Sequence, residues 1–324
     1  MVSLGINIIP LASPVELARF GQEAERLGYD RVWVMDEGLA TRDVYITLAA
    51  IAQSTSRIQL GTGITNPYTR HPAVTAASIA TLDELSGGRA MLGIGAGGSL
   101  TLDPLAIAHR KPATAVCEMI EATRLLFGGG AVDFDGESLQ LKAARLEYAR
   151  PDIEIWLAGR GPKMLELGGR LCDGVSLSFM HRDLIPDYLE QINNGALKSG
   201  NQPMISFATF VVTNPEMLER VKPYLTFALV DSPPKAKELI GISEPDVARI
   251  RAVMGSQGLT AAGALLKEEW LAPFVIMGDQ AQCAAQLSDL LARYHFDELL
   301  LPLLDMDLAL TQMSDLAEIM ARIT

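Results

Sequence analysis

A closed (β/α)8 barrel is the fold this sequence predicts, on three observations. Apolar runs of strand length alternate with helix-period stretches from the first residues onward, the pattern of parallel βαβ units. The strand-length runs number eight. Most are followed by glycine or polar residues, and the C-terminal end of each strand is where a barrel of this kind keeps its chemistry.

In chain order the predicted strands are Leu4–Ile9, Arg31–Met35, Ile58–Gly63, Ala90–Ile94, Ile153–Ala158, Gly174–Ser178, Ile205–Val212 and Glu298–Leu303. Helical periodicity falls between them at Pro14–Leu27, Val44–Gln53, Ala73–Leu85, Pro112–Phe127, Pro162–Arg170, Leu184–Ser199 and Gln280–Tyr294. Boundary residues agree with the periods. Ser13 stands before Pro14 as an N-cap before a helix-starting proline, and Gly28 follows Leu27 where a helix stops. Two segments exceed the minimal unit. Gly128–Leu141 (GGGAVDFDGESLQL) reads as a β-hairpin turning at Asp135-Gly136. Asn214–Ala272 reads as a long, mostly helical insertion before the last helix and strand, suited to covering an active site or building a dimer contact. No repeat or linker divides residues 1–324, so one domain is expected.

Composition narrows the function. With 324 residues, 49% of them hydrophobic, the chain can bury a large core, and its net charge of −12 repels phosphate backbones and anionic lipid. A nucleic-acid partner is not expected. MVSLGINIIP has no basic region, and no apolar run reaches the roughly 18 residues needed to cross a bilayer. The expectation is a cytoplasmic protein without membrane contact. Cys117, Cys172 and Cys283 are scattered and odd in number, which suits buried free thiols. Four scattered histidines give no metal-ligand spacing.

The polar residues after the strands supply the candidate chemistry. Asp36-Glu37 after the second strand can act as a general acid/base pair, since adjacent carboxylates disfavour each other's ionisation; capping and solvation are the plainer alternative. The third strand ends in "LGTGITNPYTRHP", with Gly61, Gly63, Thr65, Asn66, Tyr68, Arg70 and His71; His71 before Pro72 suits a helix cap as well as a catalytic imidazole. Gly93-Ile94-Gly95-Ala96-Gly97-Gly98 matches G-x-G-x-x-G, but no long amphipathic helix opens immediately after it. Such a run still permits close backbone approach to a flat ligand or its phosphate. Ala158-Gly159-Arg160-Gly161-Pro162-Lys163 places free backbone N–H groups, a helix dipole and two cations where an anion could sit. Ser178 and His181 follow the sixth strand.

The stretch "LGTGITNPYTRHPAVTAASIATLDELSGGRAMLGIGAGG", with "RVWVMDE", "TRDVY" and "GPKMLELGGRLCDGV", resembles the bacterial-luciferase-like superfamily. Within it the chain is most similar to the methylenetetrahydromethanopterin reductases, which use the deazaflavin coenzyme F420. The resemblance implies a barrel, usually dimeric, with a flavin or deazaflavin ring at its C-terminal end. It implies a non-proline cis peptide at Gly63–Ile64 backing the ring, Gly63 removing a Cβ clash there. It also implies ring or polyol contacts from Asp36, Thr65 and Gly95–Ser99, and a phosphate held by Ala158–Lys163. The deazaflavin enzymes that it resembles commonly have Asp-His where this chain has Asp36-Glu37, and many carry an acid at the position of Gly98. The activity implied is hydride transfer between F420 and a small organic substrate, with Glu37 the first choice of proton donor. The alternatives are a reduced-FMN monooxygenase and a non-catalytic flavin-binding relative. Ala- and apolar-rich helices Val44–Gln53 and Ala73–Leu85 suit a homodimer contact.

Overall fold

The computed structural model describes residues 2–323. Eight parallel strands close into a barrel: β1 (Ser3–Ile8), β2 (Arg31–Val34), β3 (Gln59–Thr62), β4 (Ala90–Ile94), β5 (Glu154–Ala158), β6 (Gly174–Ser178), β7 (Met204–Ala208) and β8 (Glu298–Leu303). Each pairs with the next along the chain, and β8 closes on β1 with Ser3 opposite Glu298. All eight fall on the predicted runs.

The period-2 alternation of a strand divides each run between two environments. Ile6, Ile8, Val32, Val34, Leu299 and Leu301 point outward into the main core beneath the surrounding helices. Trp33, Met91, Trp156, Ala208 and Leu300 point inward and form a separate cluster inside the barrel. The indoles of Trp33 and Trp156 meet edge to face at 5.5 Å and close the middle of the barrel. Glycines make room for them. A Cβ at Gly61 would lie 2.5 Å from the Trp33 ring, and one at Gly174 would strike Trp156. Toward the N-terminal end the interior holds Arg31, Glu298 and Ser206; toward the C-terminal end it narrows to small or short side chains, Asn7, Gly63, Ala158 and Ser176. Large groups at the bottom and small ones at the top leave the open end where the polar loops are.

The helix starts obey their local chemistry. Ser13 accepts from the Glu16 N–H while the Glu16 carboxylate accepts from the Ser13 N–H, a capping box of about 1 kcal/mol at the start of Pro14–Arg26. Asp43 caps Val44–Ser54, and His71 caps Pro72–Ser86 through Nδ1, which accepts from the Ala73 N–H at 3.2 Å.

Four details differ from the sequence reading. The seventh run breaks at Thr209, whose hydroxyl donates to the Phe274 carbonyl at 3.0 Å. Beyond it, Phe210–Val212 leaves the barrel and pairs in parallel with Val275–Met277, so the helical segment 215–271 is clasped at both ends by strands. The hairpin joins Val132–Asp135 to Gln140–Ala144, but its turn spans Gly136–Leu139 instead of a two-residue Asp-Gly. Glu118 explains the wider turn: its carboxylate accepts from the N–H groups of Glu137, Ser138 and Leu139 at 2.7–3.0 Å. A final helix, Ala309–Ile323, packs over the barrel where none was foreseen. Cys172 and Cys283 are buried free thiols as expected, whereas Cys117 is half-buried against Arg170, 3.6 Å from its guanidinium.

Candidate active site at the barrel mouth

Asp36 and Glu37 leave the end of β2 side by side, and two threonines from different loops hold them. Thr65, buried after β3, donates from Oγ1 to Asp36 Oδ2 at 2.6 Å. Thr101, also buried and in the short helix Ser99–Leu102, donates from Oγ1 to Glu37 Oε2 at 2.7 Å. The neighbouring carboxyl groups are thereby anchored in different directions. Burial pushes Glu37 above the ordinary carboxylate range; the Thr101 hydrogen bond opposes this in part, and the charge of Asp36 adds to it. Glu37 is therefore the member of the pair suited to holding a proton.

The third strand turns in at the same place. The Gly63–Ile64 peptide bond is cis. Asn7 on β1 donates from Nδ2 to the Gly63 carbonyl at 2.9 Å, while its Oδ1 is buried with no hydrogen-bond partner. The Ile64 side chain lies in the slot left by Gly93 and Gly95, where added Cβ atoms would meet it. Thr65 continues the sheet, its N–H donating to the Gly93 carbonyl and its own carbonyl accepting from Gly95 N–H. Beside it stands Tyr45, whose hydroxyl faces Thr65 and Thr75 without a hydrogen bond of normal geometry; burial raises its pKa. Arg70 lies 4.4 Å over the Tyr45 ring.

The glycine run therefore has three separate uses. Gly95 gives space to Ile64, Gly97 turns the chain through a left-handed φ of 76°, and Gly98, with nothing near its Cβ position, opens to the outside and starts the helix Ser99–Leu102. Ser99 is exposed, and the Ala96 carbonyl is bound to His109 Nε2 at 2.7 Å.

The next loop around the barrel follows β5. Ala158 neighbours the Gly95 backbone, Gly159 packs against Met164, and Gly161 begins the helix Pro162–Leu171 with no side-chain cap on its free N–H groups. Lys163 is exposed in the first turn. Arg160 is half-buried toward Asp231 and Tyr188 and makes no hydrogen bond among the described residues; burial lowers its pKa. An uncapped helix start beside two cations has the free donors and the positive charge that suit an anion.

The fold thus brings Asp36, Glu37, Gly63, Ile64, Thr65 and Gly95–Ser99 together, with Ala158–Lys163 at the end of the adjoining strand β5. Gly61 lies deeper, against Trp33, and shapes the floor. His71 and His181 are helix caps, the latter accepting from Asp183 N–H at 3.2 Å. Sequence reasoning passed over Asn7, Tyr45 and Thr101. Asn7 had a signal, a polar residue within the apolar run LGINII. Thr101 had none, because only folding brings it to Glu37. Among the described residues no group of His, Cys, Asp and Glu could hold a metal ion.

Residues 6–298 match the luciferase-like monooxygenase family. The chain belongs to that family. Among luciferase-like relatives it is 34% identical over 297 residues to the 5,10-methylenetetrahydromethanopterin reductase of Methanolobus tindarius, covering 90% of this chain and 91% of the relative. It is also 34% identical over 261 residues to that of Archaeoglobus fulgidus, covering 79% and 78%. The solved structure of the coenzyme F420 dependent tetrahydromethanopterin reductase from Methanopyrus kandleri superposes with a TM-score of 0.91 at 26% identity, covering 100% of this chain and 99% of that one.

Proposed function

We propose that this luciferase-like protein is a single-domain oxidoreductase that transfers a hydride between coenzyme F420 and a small organic substrate. The observation that carries the reading is the likeness to methylenetetrahydromethanopterin reductases along nine tenths of the chain. The mouth agrees with it. A flat ligand with a phosphate calls for unpaired polar groups at one place and an anion site at another. Asn7 Oδ1 and the Tyr45 hydroxyl are orphaned beside the cis Gly63–Ile64 turn, and the uncapped Gly161 start lies one loop away with Arg160 and Lys163. The residues present fit the coenzyme.

When bound, F420 supplies a two-electron hydride carrier. The protein's own tasks are position, dryness and one proton. Ile64 and Thr65 would border the ring, Gly95–Ser99 and Asp36 its polar chain, and Ala158–Lys163 its phosphate, while the Trp33–Trp156 pair beneath would shield it from water within the barrel. Glu37, raised by burial, would donate the proton that accompanies hydride transfer at the substrate. Because the protonated form is the working one, turnover should fall as pH rises through Glu37's elevated pKa. In Glu37→Gln turnover should drop by roughly 10²- to 10⁴-fold while F420 affinity holds; unchanged turnover removes Glu37 from the mechanism.

Fluorescence titration of the protein with F420 and with FMN tests the cofactor. Micromolar or tighter F420 binding with weak FMN binding supports hydride transfer; the reverse preference moves the protein to the oxygen-using branch, where O2 uptake with reduced FMN becomes the assay. We further infer a cytoplasmic homodimer. Free thiols suit a reducing compartment, and Ile46 and Val74, exposed on the helices Val44–Ser54 and Pro72–Ser86, give adjacent apolar faces for a second copy. Light scattering of the eluted protein reads the mass, and a monomer at micromolar concentration overturns the dimer.

A further inference from the structure

We propose that Thr101 is the positioning residue for Glu37, fixing the direction in which that carboxyl group faces the barrel mouth. The inference rests on the F420-oxidoreductase reading only for its kinetic consequence; the contact itself is a property of the free protein.

Glu37 needs an outside support. It stands on the irregular segment between β2 and Val44–Ser54, at the N-cap of the 3-10 turn Gly38–Ala40, yet it gives that turn no side-chain cap. Its backbone therefore leaves several side-chain directions open. One carboxylate oxygen is claimed by Thr101 Oγ1 at 2.7 Å, a donor 64 residues away in sequence. The donor is itself fixed: Thr101 is 3% exposed, lies inside Ser99–Leu102, and rests its methyl against the Gly38 backbone, where an added Cβ would be 3.3 Å from Thr101 Cγ2. Gly38 carries a left-handed φ of 57°, so the turn that presents Glu37 is also what lets Thr101 approach.

The adjacent pair shows why the anchor is needed. Thr65 holds Asp36 toward β3, and without Thr101 nothing among the described contacts would keep Glu37 apart from it. Asp36 is the charged neighbour whose field acts on Glu37, and from the Ser99–Leu102 side only the neutral Thr101 hydroxyl does so. A hydroxyl donor favours the ionised carboxylate, against burial and Asp36, which favour the protonated one. Thr101 thus aims the carboxyl group and keeps its proton releasable. It also stands in the loop that opens with Gly97 and Gly98, so the segment expected to border the coenzyme is tied to the proton donor.

The test uses Thr101→Val, which keeps the shape and removes the donor, and Thr101→Ser, which keeps the donor. Glu37 protonation is followed in the protein without coenzyme by infrared difference spectroscopy of the carboxyl band, with Glu37→Gln as the blank. The expected result is a titration midpoint moved upward in Thr101→Val and restored in Thr101→Ser, with unfolding midpoints close to wild type in both. In turnover, Thr101→Val should lower kcat about tenfold with KM little changed and move the alkaline limb to higher pH. An unmoved infrared midpoint in Thr101→Val overturns the proposal. If Thr101→Val does not fold, Thr101→Ser decides, since a shift there as large as that of Thr101→Ala means the hydroxyl is not the anchor. A moved midpoint together with full activity in Glu37→Gln would instead leave Thr101 as the anchor and remove the donor role from the proposed function.

Discussion

Single atoms at the mouth separate binding from folding. A Cβ on Gly95 would strike the end of the flexible Ile64 side chain, whereas one on Gly93 would strike the Thr62 backbone carbonyl inside the sheet. A side chain can turn aside at about 1–3 kcal/mol, but a sheet cannot. Gly95→Ala should therefore fold, with Ile64 displaced and F420 bound at least tenfold more weakly. Gly93→Ala should lower the thermal midpoint by many degrees. Fluorescence titration and calorimetry of the two variants read these outcomes, and equal F420 affinity in Gly95→Ala would mean that Ile64 does not border the coenzyme. The glycines themselves were plain in the sequence. Which of them served a side chain, a turn or open space depended on the partner brought across from β3, and no spacing rule carries that. Asn7 was legible as a polar residue in an apolar run; Thr101 was not legible at all.

At the scale of elements, one carboxylate joins a helix to a strand. Glu25, near the end of Pro14–Arg26, accepts from the N–H groups of Ser56, Arg57 and Ile58 at 2.6–3.0 Å, just before β3. Burial alone would raise its pKa, but these donors outweigh it and hold the group at about 2. A folded-state pKa below the unfolded value of about 4.3 gives stability that is present above that value and is lost as pH falls toward 2. Urea midpoints measured against pH should therefore place wild type above Glu25→Gln at neutral pH, with the gap closing between about pH 4.3 and 2. A gap that stayed constant would mean that Glu25 is not ionised in the fold. The elements themselves were legible because their signals are local: apolar period, Ser13 before Pro14, Gly28 after Leu27. The errors arose where distant groups intervened. Thr209 breaks the seventh run through the Phe274 carbonyl, and Glu118 widens a hairpin turn that an Asp-Gly pair alone would have tightened.

The whole barrel keeps stability and chemistry at opposite ends. At the N-terminal end Glu298 is fully buried, accepts from Trp33 Nε1 at 3.1 Å and lies 3.8 Å from Arg31, whose guanidinium rests 5.0 Å over Trp156. Burial raises the carboxyl pKa against the pull of Arg31. Glu298→Ala leaves Arg31 enclosed without its counter-charge and should cost about 3–5 kcal/mol in urea unfolding, with the F420 dissociation constant unchanged. Replacing Arg31 and Glu298 together by Met and Leu should recover most of that loss. Weaker F420 binding in the single variant would mean that the two ends communicate. The parallel clasp of Phe210–Val212 with Val275–Met277 carries this division further. Both ends of segment 215–271 are thereby pinned to each other at the rim, while Met217, Leu225 and Leu229 inside it pack into the main core. The clasp should make that segment an exchangeable cassette: a graft that keeps its core-facing side chains and the place of Asp231 beside Arg160 should fold there and offer the same mouth to a different molecule.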